Sequence, residues 1–136
     1  MTRKNKILHI ITSLERGGAE KVLYQLVTSD VENLHEVICL GKEDFFTKKL
    51  QNKGILVHSL NLKKYGFNFI ALFKMYKIIT NNSALIVHTW MYHADLLGGL
   101  LCWFGSKKNV IWCIRNSNLD KKNRKFTTKM TVFFLS

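Results

Sequence analysis

Two adjacent glycines, Gly17 and Gly18, stand between an apolar run at residues 7 to 11 and a helical pattern carrying Val22, Leu23, Leu26 and Val27. Glycine opens backbone conformations closed to other residues and lets a ligand approach the main chain, while the free N–H groups of the following helix attract a phosphate. The same pair suits any tight strand-to-helix turn, and Glu20 in the first helical turn complements the helix dipole. His93 could donate a hydrogen bond to a sugar hydroxyl or transfer a proton, because its ordinary pKa lies nearest neutrality. Its plainer reading is a helix-start residue beside a cap. Arg115, followed by Asn116, offers a planar fork suited to phosphate or carboxylate, or a surface ion pair at a strand end. The dinucleotide pattern G-x-G-x-x-G and the Walker pattern G-x-x-x-x-G-K-[ST] are both absent, which argues against a dehydrogenase or an NTPase.

These groups need elements to position them. Residues 6 to 12 read as a strand buried on both faces, since the apolar residues run almost continuously instead of alternating. A helix follows from about Gly18 to Thr28, a second strand at 35 to 41, and a short helix at 44 to 54 ending on Gly54. Residues 55 to 62 make a third strand. From Asn68 to about Asn81, Phe69, Leu72, Phe73, Tyr76 and Ile79 recur at helical spacing, with Lys74 and Lys77 off that stripe. Residues 84 to 90 give strand four, 94 to 105 a mostly buried helix, and 109 to 114 strand five; Phe126, Met130 and Phe133 or Phe134 suggest a further helix from near Arg124. Strands alternating with helices predict an α/β fold, a Rossmann-like doubly wound parallel sheet of about five strands. In such a sheet the residues after strands one, four and five share one edge. That edge would gather Gly17, Gly18, Tyr92, His93, Arg115 and Asn116.

Composition bounds the reading. The chain of 136 residues is 47% hydrophobic and 22% charged, which fits one folded domain and excludes disorder. No apolar run approaches the roughly 18 to 20 residues of a membrane-spanning helix. The first fourteen residues mimic a signal peptide, but His9, Thr12, Ser13 and Glu15 interrupt the run and no cleavage site follows. Cys39, Cys102 and Cys113 lack C-x-x-C spacing and sit in apolar surroundings, the pattern of buried thiols in a reducing cytoplasm; no zinc or other metal site is expected. A net charge of +12 favours an anionic partner: a phosphorylated metabolite, an anionic membrane surface or nucleic acid.

Taken together, "KILHIITSLERGGAEKVL", "IVHTWMYHADLLGGL" and "VIWCIRNSNLD" resemble the amino-terminal domain of the family 4 retaining glycosyltransferases, which have the GT-B fold and include many enzymes of lipopolysaccharide and capsule assembly. The resemblance runs from Lys6 to about Ser136. It implies transfer of a sugar from a nucleotide-diphosphate donor to a glycan or lipid-linked acceptor in a cleft between two Rossmann-like domains, with no cofactor. Gly17 and Gly18 would then lie near the donor diphosphate, and Tyr92, His93, Arg115 and Asn116 would line the cleft on the acceptor side, His93 being the candidate for catalysis. The family's donor-binding carboxyl-terminal domain, with its E-x7-E motif, has no counterpart here. Residues 1 to 136 are therefore expected to be a truncated amino-terminal domain without turnover of its own, active when completed by a donor domain, which could stand on a separate chain.

Other readings share the same residues. A non-catalytic acceptor-binding subunit or an inactive fragment would carry this domain too. A nucleic-acid-binding protein has only charge in its favour, since no RNP, KH, zinc-finger or helix-turn-helix pattern occurs. Lys63, Lys64, Lys74 and Lys77 surround Tyr65, Phe67 and Phe69 and could rest on an anionic leaflet, giving a cytoplasmic location with peripheral attachment to the inner face of the membrane; a solvated helix face is the simpler use of any one lysine.

Overall fold

The computed structural model describes residues 4–62, 68–106 and 108–113. Nine elements alternate: β1 (Lys6–Ile11), α1 (Gly18–Ser29), β2 (Leu34–Cys39), α2 (Phe45–Asn52), β3 (Leu56–Ser59), α3 (Phe69–Asn81), β4 (Ile86–Trp90), α4 (Tyr92–Gly105) and β5 (Asn109–Cys113). All four strand pairings are parallel, in the order β3-β2-β1-β4-β5. This is the Rossmann-like α/β sheet that the alternation predicts. The one shift at the candidate site is that α4 begins at Tyr92 and not at 94, which puts Tyr92 and His93 in its first turn. The helix expected from near Arg124 lies outside the described residues.

β1 sits at the centre because it is apolar on both sides. Leu8 and Ile10 join Ile38 and Val87 under α3 and α4, with Met75, Ile79, Ala94 and Cys102 facing them. Ile11 joins Val37, Cys39 and Trp90 under α1 and α2, against Leu23, Val27, Phe46 and Leu50. Period-two alternation on a strand covered by helices on both faces produces these two cores. Gly98 lets α4 settle on the sheet: a Cβ there would fall 2.8 Å from Thr89 Cγ2 and 2.9 Å from Ile10 Cδ1.

Local signals set the helix ends. Asp44 and Thr47 form a reciprocal capping box at the start of α2, and Gly54, at φ +78, turns the chain away after it. Asn68 caps α3 by accepting from the N–H groups of Ile70 and Ala71. At the amino edge of the sheet the buried Glu36 carboxylate takes hydrogen bonds from Lys6 Nζ at 2.5 Å, His58 Nε2 at 2.6 Å and Asn82 Nδ2 at 2.9 Å. Those three donors hold its carboxyl below the usual range in spite of burial, and tie β1, β2, β3 and the end of α3 together.

Candidate functional site

From β1 the chain builds one half of the sheet outward, then returns to add β4 and β5 on the other side. In an open parallel sheet a ligand crevice lies beyond the carboxyl ends of the strands at such a reversal. Ile11 and Trp90 are the last register partners of β1 and β4, so the segments that follow them open side by side on one edge. Gly17 and Gly18 are exposed on one of these segments; on the other, Tyr92 is half-buried and His93 exposed. Arg115 and Asn116, expected at the same edge, lie outside the described residues.

The segment after β1 is firmly held. Leu14 is fully buried, its carbonyl accepts from Phe46 N at 2.9 Å, and the Thr12 carbonyl accepts from Gly41 N at 3.0 Å. The exposed Arg16 guanidinium lies 4.3 Å from the centre of the Phe45 ring. Gly17, the N-cap of α1, has φ −145 and ψ 174, extended backbone that any residue adopts. Its lack of a side chain serves something else: a Cβ would fall 2.2 Å from Glu20 Oε2 and 2.9 Å from Glu20 Cδ. Glu20 is only 6% exposed, and its Oε1 accepts from Ser13 Oγ at 3.0 Å. The carboxylate is folded back over the start of its own helix. Gly18 differs, since a Cβ there would meet nothing within 4 Å.

The segment after β4 is a single residue, Met91, at φ 74 and ψ 150. A side chain in that region costs on the order of 1–3 kcal/mol, and such residues persist where surrounding contacts force them, often at functional sites. Met91 is clamped from both sides: its N–H points at the Cys113 carbonyl, 3.5 Å away, and its carbonyl accepts from Asp95 N at 2.9 Å. The strain turns the chain at once from strand into helix and delivers Tyr92 and His93 to the edge.

Two buried polar features lie just below, and sequence reasoning found neither. Asp95, in the first turn of α4, is 0% exposed, and neither carboxylate oxygen has a hydrogen-bond partner among the described residues. Burial pushes its carboxyl up to about 6, with a nearby Thr89 hydroxyl tempering the effect. That hydroxyl donates to the Ile111 carbonyl at 3.3 Å, so it does not satisfy the carboxylate. The one hint in the sequence is isolation: no other acidic residue occurs between Asp44 and Asp120.

On the opposite face, Trp90 Nε1 donates to His9 Nδ1 at 3.3 Å, and His9 Nε2 lies 3.0 Å from His35 Nδ1. Indole can only donate, so His9 must carry its proton on Nε2 and pass that bond to His35. His35 then bears its own proton on Nε2, which faces Asp30 Oδ2 at 3.2 Å without hydrogen-bond angles. Burial, reinforced by His88 and His35, lowers the His9 pKa to about 3 and keeps the ring neutral. His9 is buried and His58 and His88 are half-buried, each packed within its strand: His58 on Glu36 and His88 beside His9. Among the described residues no cluster of His, Cys, Asp or Glu is arranged to hold a metal ion.

Lys74 and Lys77 stand exposed on α3, away from this edge, while Lys63 and Lys64 lie outside the described residues. Lys77 borders a cavity of about 440 Å³ at the amino edge, shared with Lys6, Glu36, His58 and Asn82. Its polar centre, Glu36, is already saturated by internal donors, so that cavity is a structural joint and not the crevice at the reversal. No described helix is long and apolar enough to cross a membrane.

Comparison with known proteins adds chemistry to this geometry. The chain is 29% identical over 124 residues to the capsular polysaccharide biosynthesis glycosyltransferase CapH of Staphylococcus aureus, a match covering 86% of this chain and 32% of that protein. The chain thus spans about a third of the length of the curated relative it matches. No protein-family model matches the chain. The similarity supports a glycosyltransferase relationship.

Proposed function

We propose that the chain is the amino-terminal, acceptor-side domain of a GT-B, family 4-like retaining glycosyltransferase acting in the assembly of a surface polysaccharide. It works with a donor-binding domain to move a sugar from a nucleotide diphosphate to a glycan or lipid-linked acceptor. The observation that carries the reading is the strand-order reversal itself, where β1 and β4, the strands that lead to Gly17-Gly18 and to Tyr92-His93, pair in parallel in a chain similar to a capsule glycosyltransferase.

Each residue has a role that follows from its setting. Gly18, exposed with open space where a side chain would be, leaves room for the donor diphosphate in front of α1, and Gly17 lets the loop close behind it. His93 and Tyr92 present an imidazole and a phenol to acceptor hydroxyls. His93 is the candidate for proton transfer as the acceptor oxygen attacks the anomeric carbon and the sugar–phosphate bond breaks. Arg115 and Asn116 complete the acceptor side. The leaving diphosphate is stabilised by protein cations, an electrostatic task of the kind that dominates much of catalysis.

The lipid side of the proposal rests on α3, where exposed Lys74 and Lys77 stand beside Ile70 and Phe73, 81% and 58% exposed. A basic, apolar helix face suits an anionic leaflet, which would place the protein on the cytoplasmic face of the membrane near a lipid-linked acceptor.

The test is saturation-transfer NMR with a panel of nucleotide-diphosphate sugars, followed by coexpression with a donor-side domain and assay of sugar transfer. We expect weak donor binding by the domain and transfer only by the pair, lost about 100-fold or more on His93→Ala if the imidazole transfers the proton. Donor binding absent from both domain and pair would overturn the proposal.

A further inference from the structure

α4 has its polarity reversed. Its exposed side chains are His93, Leu96, Leu100, Trp103 and Phe104, which recur at helical spacing along one outward face, while its one charged residue, Asp95, is buried. A surface helix ordinarily turns its charges outward, and an exposed apolar face marks a place where something else docks. Trp103 and Phe104 are 80% and 74% exposed, with ring centres 5.2 Å apart. The neighbouring helix supplies the charge. α3 packs against α4, where Gly105 leaves the room of a side chain to the Tyr76 ring. On its outer side Lys74 and Lys77 are exposed beside Phe73, and Lys77 Nζ lies 5.0 Å from the centre of that ring. No Asp or Glu stands between Asp44 and Asp95, so α3 has none and α4 shows none to solvent.

We propose that the outward face of α4 is the membrane anchor of the domain, Trp103 and Phe104 entering an anionic leaflet to which Lys74 and Lys77 of α3 steer it. The inference deepens the lipid side of the reading given above and rests on it; there α3 carried the contact, whereas here α3 steers and α4 anchors. Charge decides what covers the face. A second copy laid against it would bring Lys74 and Lys77 of each chain together with no carboxylate to meet them. An anionic bilayer answers both features: its headgroups pair with lysine, and its hydrocarbon takes leucine and phenylalanine. Tryptophan suits the boundary between the two, because its ring is apolar and its N–H can stay among the headgroups. His93 heads the same face, ten residues before Trp103 and so about 15 Å along the helix. A leaflet seated on α4 is thereby brought to the acceptor side of the proposed site.

The experiment is sedimentation of the chain with sucrose-loaded phosphatidylcholine vesicles, with and without phosphatidylglycerol. The substituted side chains are exposed, and far-UV circular dichroism confirms the fold of each variant. We expect binding to the anionic vesicles, weakened about tenfold or more by Trp103→Ser combined with Phe104→Ser. Lys74→Gln and Lys77→Gln should each weaken it about fivefold, and on the anionic vesicles alone. Bromine-labelled lipid chains should quench the tryptophan fluorescence of the bound wild type, and Trp103→Phe should keep the binding while losing most of that quenching. No binding to the anionic vesicles, or binding unmoved by the double substitution, would overturn the anchor. Self-association in sedimentation velocity without lipid, abolished by Trp103→Ser, would give the face to a second copy and overturn it too. Absent vesicle binding beside intact binding of nucleotide-diphosphate sugars would strike the anchor alone. A chain that binds vesicles as expected and no such sugar would strike the glycosyltransferase reading and leave the anchor standing.

Discussion

Replacing Asp95 by asparagine should make the domain more stable at neutral pH and leave it unchanged in acid. The wild-type carboxyl is 0% exposed with no hydrogen-bond partner among the described residues, and it ionises at about 6 against an ordinary value of 3.8. A pKa raised on folding means that the contribution of Asp95 is fully favourable below 3.8 and is lost as pH rises through about 6. Above that, the difference amounts to a cost of about 3 kcal/mol. Asparagine has the same shape and cannot ionise, though its amide also remains unpaired and keeps a desolvation cost like that of the protonated acid. The expected gain is therefore about 1–3 kcal/mol at pH 7.5, falling to about zero at pH 4. Urea unfolding followed by tryptophan fluorescence, with Trp90 buried in the core, would measure both proteins at both pH values. A variant less stable at pH 7.5 would refute the reasoning by showing that the carboxylate is held charged by a cation, and a gain that does not change with pH would refute it by showing that folding does not shift the titration of the carboxyl.

Two further perturbations test the packing. His9, lowered to about 3 from 6.5, should stay neutral in the folded chain while the unfolded chain protonates; its contribution is intact above 6.5, and about 2 kcal/mol of stability is lost by pH 5. Nitrogen-15 NMR of the imidazoles should show the Nε2–H tautomer at pH 5, and protonation of His9 near 6 would contradict the Trp90–His9–His35 chain. Gly98→Ala would drive a Cβ to within 2.8 Å of Thr89 Cγ2 and 2.9 Å of Ile10 Cδ1, between α4 and the two central strands. Overpacking should destabilise by about 1–3 kcal/mol in denaturant titration, and a neutral result would show that α4 can slide outward freely.

The element order was legible because burial on two faces leaves near-continuous apolar strands, and because helices between them carry a single apolar stripe. Gly54 and Asn68 marked helix ends by chemistry that any context would honour. The sequence misplaced the start of α4 for a physical reason: Met91 adopts a backbone conformation that side chains rarely take, and local propensity argues against a one-residue turn there. Gly17 was legible as a glycine position but not for its cause. Backbone freedom was the obvious explanation, whereas its φ of −145 is ordinary and the requirement comes from the Glu20 carboxylate. The partnerless state of Asp95 and the His9 chain depend on which face of which element meets which, and that exists only once the sheet order is set.

The costs of this fold are not spread evenly. Met91 holds a strained backbone, Asp95 buries a carboxyl with no partner among the described residues, and Glu20 folds its carboxylate over the start of its own helix; all three lie on, or within one helical turn of, the two segments that flank the reversal between β1 and β4. At the amino edge the comparable buried acid, Glu36, is saturated by Lys6, His58 and Asn82. A chain that satisfies one buried carboxylate completely does not lack the means to satisfy another, yet among the described residues it gives Asp95 no partner. Local features that oppose stability are tolerated where the rest of the structure over-determines them, and they gather where an incoming group can relieve them. By that argument the costs of the fold gather at the carboxyl edge, where the proposed function puts the substrate, and the amino edge is where the domain is held together.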